Sequence, residues 1–415
     1  MKFRMAVSVD KAAKPVEANV GLTLVFNRST KNKSKEIDVK IEGVRKMKVL
    51  HLNAGNETGG GMVHILSLLK ELKKEEDQFI LGLLEKGVFY KKAIDAGIDT
   101  ITFEQASRYD FTILFKLVAY IKKENIDILH THGARANLYG YFISKMTRVT
   151  WMTTIHSDPR NDFLGRGLLG GIFTKLHLAV LKKPDHFFAI SKRFTEMLKH
   201  FGVDQEKIST IYNGINFQQA HKGKQTSLKD LNLSPEDFII IMVARFDPVK
   251  RHELAVEVVK KFAAQYPSVK VLLVGDGSTK PKIEELVAQE GLENHIIFLG
   301  YREDVAALFR LADVTLLLSK TESFPLVLLE SSREKTPVIT TDVGGVNDMI
   351  PDQTFSIVLK DDKVPTILNA LEHVLKLKEE NRLDDMGDKF YHYTSVRFSL
   401  NAFEKSVYNI YKLYK

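Results

Sequence analysis

From Met47 onward, short apolar runs alternate with longer amphipathic stretches, and this alternation is the feature that most constrains the fold. Strand-length runs followed by helical periodicity favour βα units, in which parallel strands form a sheet covered by helices. The runs are 47–52, 79–84, 126–130, 151–155, 185–190 and 208–212, and then 238–243, 269–274, 295–299, 314–318 and 336–340. The predicted fold is α/β, with two consecutive doubly wound, Rossmann-like domains.

The length of 415 residues supports two domains, because one hydrophobic core rarely serves more than about 250–300 residues. We expect the first domain at 47–222 and the second at 223–393, with a polar linker at about 217–229. A final segment, 394–415, contains an amphipathic, aromatic-rich stretch and is expected to be a helix that crosses back to the first domain. Residues 1–46 hold two β-branched runs around a basic loop, which fits either an appended β-hairpin or an upstream extension.

Composition excludes several classes of protein. The chain has no cysteine, which rules out disulfides, thiolate metal sites and a cysteine nucleophile. It has neither an apolar run of the ~20 residues that a spanning helix needs nor a signal peptide, so we expect a cytoplasmic protein. The net charge of +8 suits anionic partners, although it could serve solubility alone, and no nucleic-acid-binding motif accompanies it.

Two carboxylates flank a predicted helix start at 321–330. Glu322 precedes Pro325, a residue that fits the first turn of a helix, and Glu330 lies within that helix. A helix N-terminus presents unpaired N–H groups and the positive end of a dipole to an anion. A phosphorylated sugar at this end would place its hydroxyls near Glu322.

Two further features could serve an anionic ligand. Gly59, Gly60 and Gly61 lie between a predicted strand and helix, where a bare backbone can approach a phosphate or simply form a tight turn. Arg245 and Lys250 follow the strand 238–243, at the end where open α/β sheets bind ligands, although a solvated charge cluster would look the same. The glycines do not form a dinucleotide-binding fingerprint, so a nicotinamide enzyme is disfavoured.

Together these features resemble the retaining glycosyltransferases with the GT-B fold, in particular family 4 (group 1), from about Met47 to the C-terminus. The spacing of Glu322 and Glu330 matches the E-x7-E signature of that family. The resemblance implies that Glu322 contacts the donor sugar and Glu330 the nucleotide ribose. It also implies that the backbone amides of Phe324, Pro325 and Leu326 approach the sugar and diphosphate. Arg245 and Lys250 would then bind the diphosphate, and Gly60 and Gly61 would lie in the loop that closes over it.

Other matches complete the implied site. His156 is similar to the family's histidine near the transferred sugar, although a lone histidine after a strand is often structural. Gly275 and Gly277 resemble loops around the donor, and Tyr301 then lies near the nucleotide base. His132 and Arg135 occupy a loop expected to face the acceptor. The chain departs from the family pattern at Arg251 and Lys335, where glycine is usual, and also at Ala244 and 347–348.

The resemblance implies a retaining, metal-independent hexosyltransferase of cell-envelope synthesis. It would move a hexose or N-acetylhexosamine from a nucleotide-sugar, most readily a UDP-sugar, to a glycan, glycolipid or cell-envelope acceptor. No cofactor and no metal ligand are expected, because no D-x-D motif follows a strand. A sugar-nucleotide epimerase of the same fold and a catalytically silent glycan-binding partner remain alternatives. The apolar, cation-edged stretch 163–183 could hold the enzyme at the inner face of an anionic membrane, or be an ordinary core helix.

Overall fold

The computed structural model describes residues 45–57, 59–107, 110–160, 167–218 and 226–415. The expected hairpin in 1–46 lies outside the described residues, except for its last two positions, and so does the linker segment 219–225. Within Met47–Lys415, two parallel sheets form the architecture. We call residues 47–218 the first half and residues 226–398 the second half.

The first half is built on a seven-stranded sheet of order β3-β2-β1-β4-β5-β6-β7. Its strands are β1 Lys48–Asn53, β2 Gln78–Leu83, β3 Thr100–Thr102, β4 Ile128–His132, β5 Thr150–Ile155, β6 His186–Ala189 and β7 Ile208–Thr210. Its helices are α1 Gly60–Leu72, α2 Val88–Asp95, α3 Ile113–Glu124, α4 Ala134–Thr147, α5 Gly167–Val180 and α6 Lys192–His200.

The second half repeats this plan with a six-stranded sheet of order β10-β9-β8-β11-β12-β13. Its strands are β8 Phe238–Val243, β9 Val269–Val274, β10 Ile296–Gly300, β11 Val314–Leu317, β12 Val338–Thr341 and β13 Ile357–Leu359. Its helices are α7 His252–Ala263, α8 Lys280–Gln289, α9 Val305–Leu311, α10 Leu326–Arg333, α11 Val346–Met349, α12 Val364–Glu379 and α13 Leu383–Arg397. The last helix is α14 Leu400–Leu413.

Burial explains why the strands were visible in the sequence. The central strands β1, β4, β8 and β9 are buried along nearly their whole length, because helices cover both faces of each parallel sheet. Every predicted run is a strand in the structure, with ends that differ by at most two residues. The edge strands β3 and β13 were not predicted, since three residues carry no usable pattern.

The helix predicted in the final segment, 394–415, is interrupted in the structure. Helix α13 ends at Arg397, and Ser399 then caps α14 by accepting a hydrogen bond from the Ala402 amide at 3.2 Å. At this point the chain pairs with the first half, because the amide of Ile215 donates to the Phe398 carbonyl at 3.0 Å. Helix α14 then buries Phe403, Val407 and Tyr411 in the same core as α1 and β1.

A separate hydrophobic core lies between the two halves and joins them. It combines Ile155 and Phe187 of the first half with Phe324 and Leu328 of the second, and the buried ring of Phe398 packs among them. Ion pairs from α6 to Asp342 and Asp348 lie on the same interface. None of the helices in the described chain is both long and apolar enough to cross a lipid bilayer.

Candidate active site

The strand order fixes where a ligand can bind. In each sheet the order in which strands are added reverses at the first strand, so that β1 and β4 are neighbours in the first half and β8 and β11 in the second. Ligands of open parallel sheets bind outside the carboxyl ends of the strands at such a switch point. The candidate residues follow β1, β4 and β5 in one half and β8, β9, β10 and β11 in the other.

A short turn after β8 positions the two candidate cations. Asp247 accepts a hydrogen bond from the Val249 amide at 3.2 Å, and Pro248 begins a 3-10 turn that ends at Lys250. Aspartate at the cap and proline in the first position favour this turn. Lys250 then forms an ion pair with Glu322 across the switch point, with both side chains mostly buried.

Arg245 stands apart from that pair. Its side chain is 71% exposed and lies 3.1 Å from the Asp247 carboxylate, from the Nη2 atom to Oδ2. Such an exposed ion pair contributes little to stability, so the guanidinium can turn toward an arriving anion at small cost. Arg245 therefore shares the segment after β8 with Lys250 but is not part of the Lys250–Glu322 pair.

Helix α10 begins one residue later than the sequence indicated. Pro325 occupies the capping position, with φ of −73° and ψ of 96°, and Leu326 is the first helical residue. Proline has no amide hydrogen, so in the stretch 324–326 the N–H donors are Phe324 and Leu326. The Phe324 ring itself is buried between the halves, where it stacks on Tyr212 with centroids 6.0 Å apart.

Glu330 lies in the second turn of α10. Burial raises the pKa of its carboxyl, and the neighbouring Arg333 partly opposes that rise. A buried carboxylate is held ionised only by partners that satisfy it, and a ribose hydroxyl is one group that could donate to it. The geometry thus brings Lys250 and Glu322 together and places Glu330 further along the same helix.

The loop after β9 explains two glycines. Gly275 has φ of +137°, and a Cβ atom there would lie 2.1 Å from the Ala244 carbonyl oxygen. Gly277 has φ of +155° and approaches the Phe246 carbonyl oxygen equally closely. Only glycine permits this contact, which supports the backbone around Arg245. Tyr301, at the end of β10, is 77% exposed and free to stack on a planar group.

The glycine turn of the first half is open. Helix α1 begins at Gly60, and a Cβ atom at Gly59 or Gly60 would meet nothing within 4 Å, while one at Gly61 would meet only the Glu57 side chain. Packing therefore does not require glycine at 59 or 60. The open backbone is consistent with the predicted approach of a ligand to Gly60 and Gly61.

His132 and His156 come together at the ends of β4 and β5. Their ring nitrogens, Nδ1 of His132 and Nε2 of His156, lie 3.1 Å apart. Their neighbours His51 on β1, His64 on α1 and Tyr411 on α14 were not predicted, and His130, predicted with His132 in the acceptor-facing loop, lies on β4. The pattern His130-x-His132 was a usable signal, because alternate residues of a strand share one face.

All of these histidines are neutral near pH 7. Burial lowers the pKa of His51 to about 3 and that of His64 to about 4. Burial and the neighbouring histidines hold the pKa of His130, His132 and His156 well below the usual value. Neutral imidazoles both donate and accept, which makes the cluster a hydrogen-bonded network.

A cavity of about 680 Å³ opens beside His132 and His156. Its lining combines polar groups with an apolar wall that includes Phe111, Leu138, Phe142 and Phe173. Arg135 lines it too, with its guanidinium paired to Glu85. The cavity could therefore hold a molecule with both a polar and an apolar part.

Two of the departures from the family pattern, Arg251 and Lys335, lie at positions where the backbone conformation favours glycine. Arg251 has φ of +60° and Lys335 has φ of +63°. Both positions are left-handed, a region that glycine enters without strain and other residues rarely adopt. Each side chain forms an ion pair, Arg251 with Asp362 at 2.8 Å and Lys335 with Asp388 at 2.7 Å.

Comparison with known families matches both halves of the chain. Residues 58–219 match the description "Glycosyltransferase Family 4", and residues 223–390 match "Glycosyl transferases group 1". The chain is 29% identical to the N-acetyl-alpha-D-glucosaminyl L-malate synthase of Bacillus anthracis, over 68% of this chain and 73% of that protein.

Two further relatives agree with this assignment. The UDP-Gal:alpha-D-GlcNAc-diphosphoundecaprenol alpha-1,3-galactosyltransferase of Escherichia coli is 25% identical over 64% of this chain and 70% of its own. The structure of HepE from Anabaena in complex with UDP superposes with a TM-score of 0.76 at 17% identity, over 88% of this chain and all of that one. The chain therefore belongs to the group 1, family 4 glycosyltransferases and has the GT-B fold.

Proposed function

We propose that this protein is a retaining transferase that moves a hexose or N-acetylhexosamine from a UDP-sugar to a lipid-linked or glycan acceptor, without a metal ion. The observation that carries the proposal is the Lys250–Glu322 pair at the β8/β11 switch point, beside the N-terminus of α10. A diphosphate needs positive charge and N–H donors, and a sugar needs a carboxylate that accepts from its hydroxyls. This corner of the second half offers all three.

The proposed chemistry is stabilisation of a leaving diphosphate. As the bond from the anomeric carbon to the phosphate oxygen breaks, negative charge grows on the diphosphate, where Arg245, Lys250 and the Leu326 amide can meet it. Groups fixed in advance for such charge act strongly because they need no reorganisation. In the proposed reaction Lys250, already held by Glu322, and Arg245, which turns toward the diphosphate, serve where other transferases use a metal.

The stereochemical part of the proposal is a front-face substitution. No carboxylate of the first half is a clear covalent nucleophile among the predicted site residues, so we expect the acceptor hydroxyl to attack on the side from which the diphosphate leaves. The new glycosidic bond forms as the phosphate bond breaks, and the departing phosphate oxygen takes the proton of the hydroxyl. His156 would stand beside the transferred sugar as a neutral hydrogen-bonding group.

Names of relatives support a UDP-sugar. The E. coli relative is named for UDP-galactose, and the Anabaena structure contains UDP. Glu330 is the proposed ribose contact, and Tyr301 is the proposed neighbour of the base.

The cavity supports an acceptor that carries an apolar part. Around it, neighbouring helices expose Phe115 on α3, Phe142 on α4, and Ile172 and Leu176 on α5. Exposed lysines alternate with them at 116, 145 and 175. Apolar side chains interleaved with cations suit an anionic bilayer surface, where a lipid-linked acceptor would be presented. Peripheral membrane contact of this face is part of the proposal.

A panel of UDP-, GDP- and ADP-sugars tests the donor. Binding to the native state raises the melting temperature by mass action, so a UDP-sugar should give the largest shift. The Glu330→Gln variant should lose part of that shift, whereas Glu257→Gln, on the exposed side of α7, should keep it. An equal response to all three nucleotide classes would refute UDP selectivity. With an acceptor in hand, the anomeric configuration of the product, read by NMR, tests retention.

A further inference from the structure

Three histidines of the first half are arranged like the ligands of a metal ion. One ring nitrogen from each of His64, His132 and His156 lies within 4.8 Å of the other two. They come from different elements, α1, β4 and the residue after β5, so only the folded chain brings them together. We propose that these three histidines form a binding site for a divalent transition-metal ion, with zinc as the best fit.

The spacing of the nitrogens suits zinc. His132 Nδ1 and His156 Nε2 are 3.1 Å apart. Two ligands of a tetrahedral zinc with Zn–N bonds of about 2.0–2.1 Å stand about 3.3–3.4 Å apart. Since no pair in the trio is more than 4.8 Å apart, the rings need to close by about 1.5 Å at most to bind one zinc ion.

His64 has its lone pair in the required place. Its Nδ1 is hydrogen-bonded to the side-chain oxygen of Asn213, an acceptor, so Nδ1 carries the proton and Nε2 carries the lone pair. That Nε2 is buried and has no hydrogen-bond partner among the described residues. A buried acceptor left unsatisfied is costly, and a bound cation would satisfy it.

The hydrogen-bond network behind His132 can direct its protons away from the site. His132 Nε2 lies 3.0 Å from His51 Nδ1, and His51 Nε2 lies 3.2 Å from the Tyr411 hydroxyl. Tyr411 in turn contacts His130 Nδ1, and His130 Nε2 lies 2.7 Å from Thr154 Oγ1.

Each neutral ring has one N–H, so these contacts form one consistent outward chain. His132 donates to His51, His51 to Tyr411, Tyr411 to His130, and His130 to Thr154. In that state His132 Nδ1 is a bare acceptor facing His156. Metal-binding histidines are held in this manner by an acceptor on their second nitrogen.

The site is also accessible and has room for a fourth ligand. His132 and His156 both line the 680 Å³ cavity, from which an ion can enter and a water molecule can complete the shell. Three imidazoles without a thiolate favour zinc, cobalt, nickel or copper over magnesium. In the metal-free protein, a proton shared between His132 and His156 occupies the place that the ion takes.

Binding would regulate transfer rather than take part in it. This consequence rests on the proposed function, because His156 is the proposed neighbour of the donor sugar. A zinc ion that draws His156 Nε2 toward His64 would remove it from that position. Micromolar zinc should therefore inhibit transfer, while removal of zinc by a chelator should restore it.

The binding test uses the untagged full-length protein, stripped with EDTA and titrated with Co²⁺, whose visible absorption reports tetrahedral coordination. We expect one equivalent to bind. His64→Ala should abolish the visible band, whereas His392→Ala, which removes an exposed histidine of α13, should retain it. Asn213→Ala should weaken binding about ten- to a hundredfold, because it releases His64 from its acceptor.

Two results would overturn the site. One is a wild-type protein that takes up no cobalt or zinc beyond what His64→Ala takes up. The other is a visible band that His64→Ala leaves unchanged while its circular dichroism matches wild type. Because cobalt binding is measured without a sugar donor, its outcome is independent of whether the proposed transferase activity is found.

Discussion

The hydroxyl of Tyr411 is predicted to be a main stabiliser of the first half. It lies between His51 Nε2, at 3.2 Å, and His130 Nδ1, and all three side chains are buried. Tyr411→Phe keeps the ring in the core but leaves both nitrogens without a partner. Whichever tautomers the histidines adopt, each nitrogen is then an unsatisfied donor or acceptor.

The magnitude follows from that count. A buried polar group without a partner costs about 1–3 kcal/mol, so two of them predict a loss of about 2–6 kcal/mol in the free energy of unfolding. Tyr90→Phe is the control, since Tyr90 is a partly buried residue whose hydroxyl makes no hydrogen bond within the described chain, and its effect should stay within about 0.5 kcal/mol.

The assay is urea unfolding followed by tryptophan fluorescence, in EDTA so that no metal contributes. Trp151 is the sole tryptophan and is buried in β5, so its emission reports the first half alone. The reasoning would be refuted if the Tyr411→Phe midpoint coincided with that of Tyr90→Phe at equal slope.

Three further predictions concern strain, pH and the membrane. Lys335→Gly should stabilise the second half by about 0.5–1 kcal/mol in calorimetry, because glycine adopts a positive φ without strain; a loss of stability would mean that the Asp388 ion pair matters more. Burial lowers the pKa of His186 from 6.5 to about 4, so as the pH falls this histidine is protonated in the unfolded chain before it is protonated in the folded one. Stability should therefore fall as the pH drops from 6.5 toward 4, and less so in His186→Gln; equal pH profiles would contradict this. Ile172→Glu should reduce sedimentation with anionic liposomes several-fold, and wild-type protein that binds no liposomes would end the membrane proposal.

Much of the fold follows from hydrophobic pattern. Strands such as 238–243 and 269–274 were located to the residue, since a buried parallel strand is a continuous apolar run bounded by polar residues. The edge strand Thr100–Thr102 and the break at Phe398 were not foreseen. A three-residue edge strand has no period, and Phe398 looks like one more apolar residue of a helix until its partner Ile215 is known.

Part of the candidate site could likewise be predicted from the sequence, and part could not. Arg245, Lys250 and Glu322 were recognisable because each belongs to a short motif that follows a strand, 244–250 after β8 and 321–330 after β11. The histidine network was not recognisable, because Tyr411 lies 360 residues after His51 and the two meet only where α14 packs on the first half. The ion pair between Lys250 and Glu322 likewise depends on the pairing of β8 with β11, and that pairing cannot be read from the spacing of the two residues in the sequence.

The central claim, that the β8/β11 corner binds and activates a UDP-sugar, is tested most directly by donor turnover. Wild-type protein in EDTA is incubated with UDP-glucose, UDP-galactose and their N-acetyl forms, and released UDP is quantified by mass spectrometry. We expect turnover of at least one donor, with Lys250→Ala slower by about a hundred- to a thousandfold. Lys261→Ala, an exposed lysine of α7, should turn over donor at the wild-type rate. Wild-type turnover by Lys250→Ala, or no UDP release from any donor, would contradict the account.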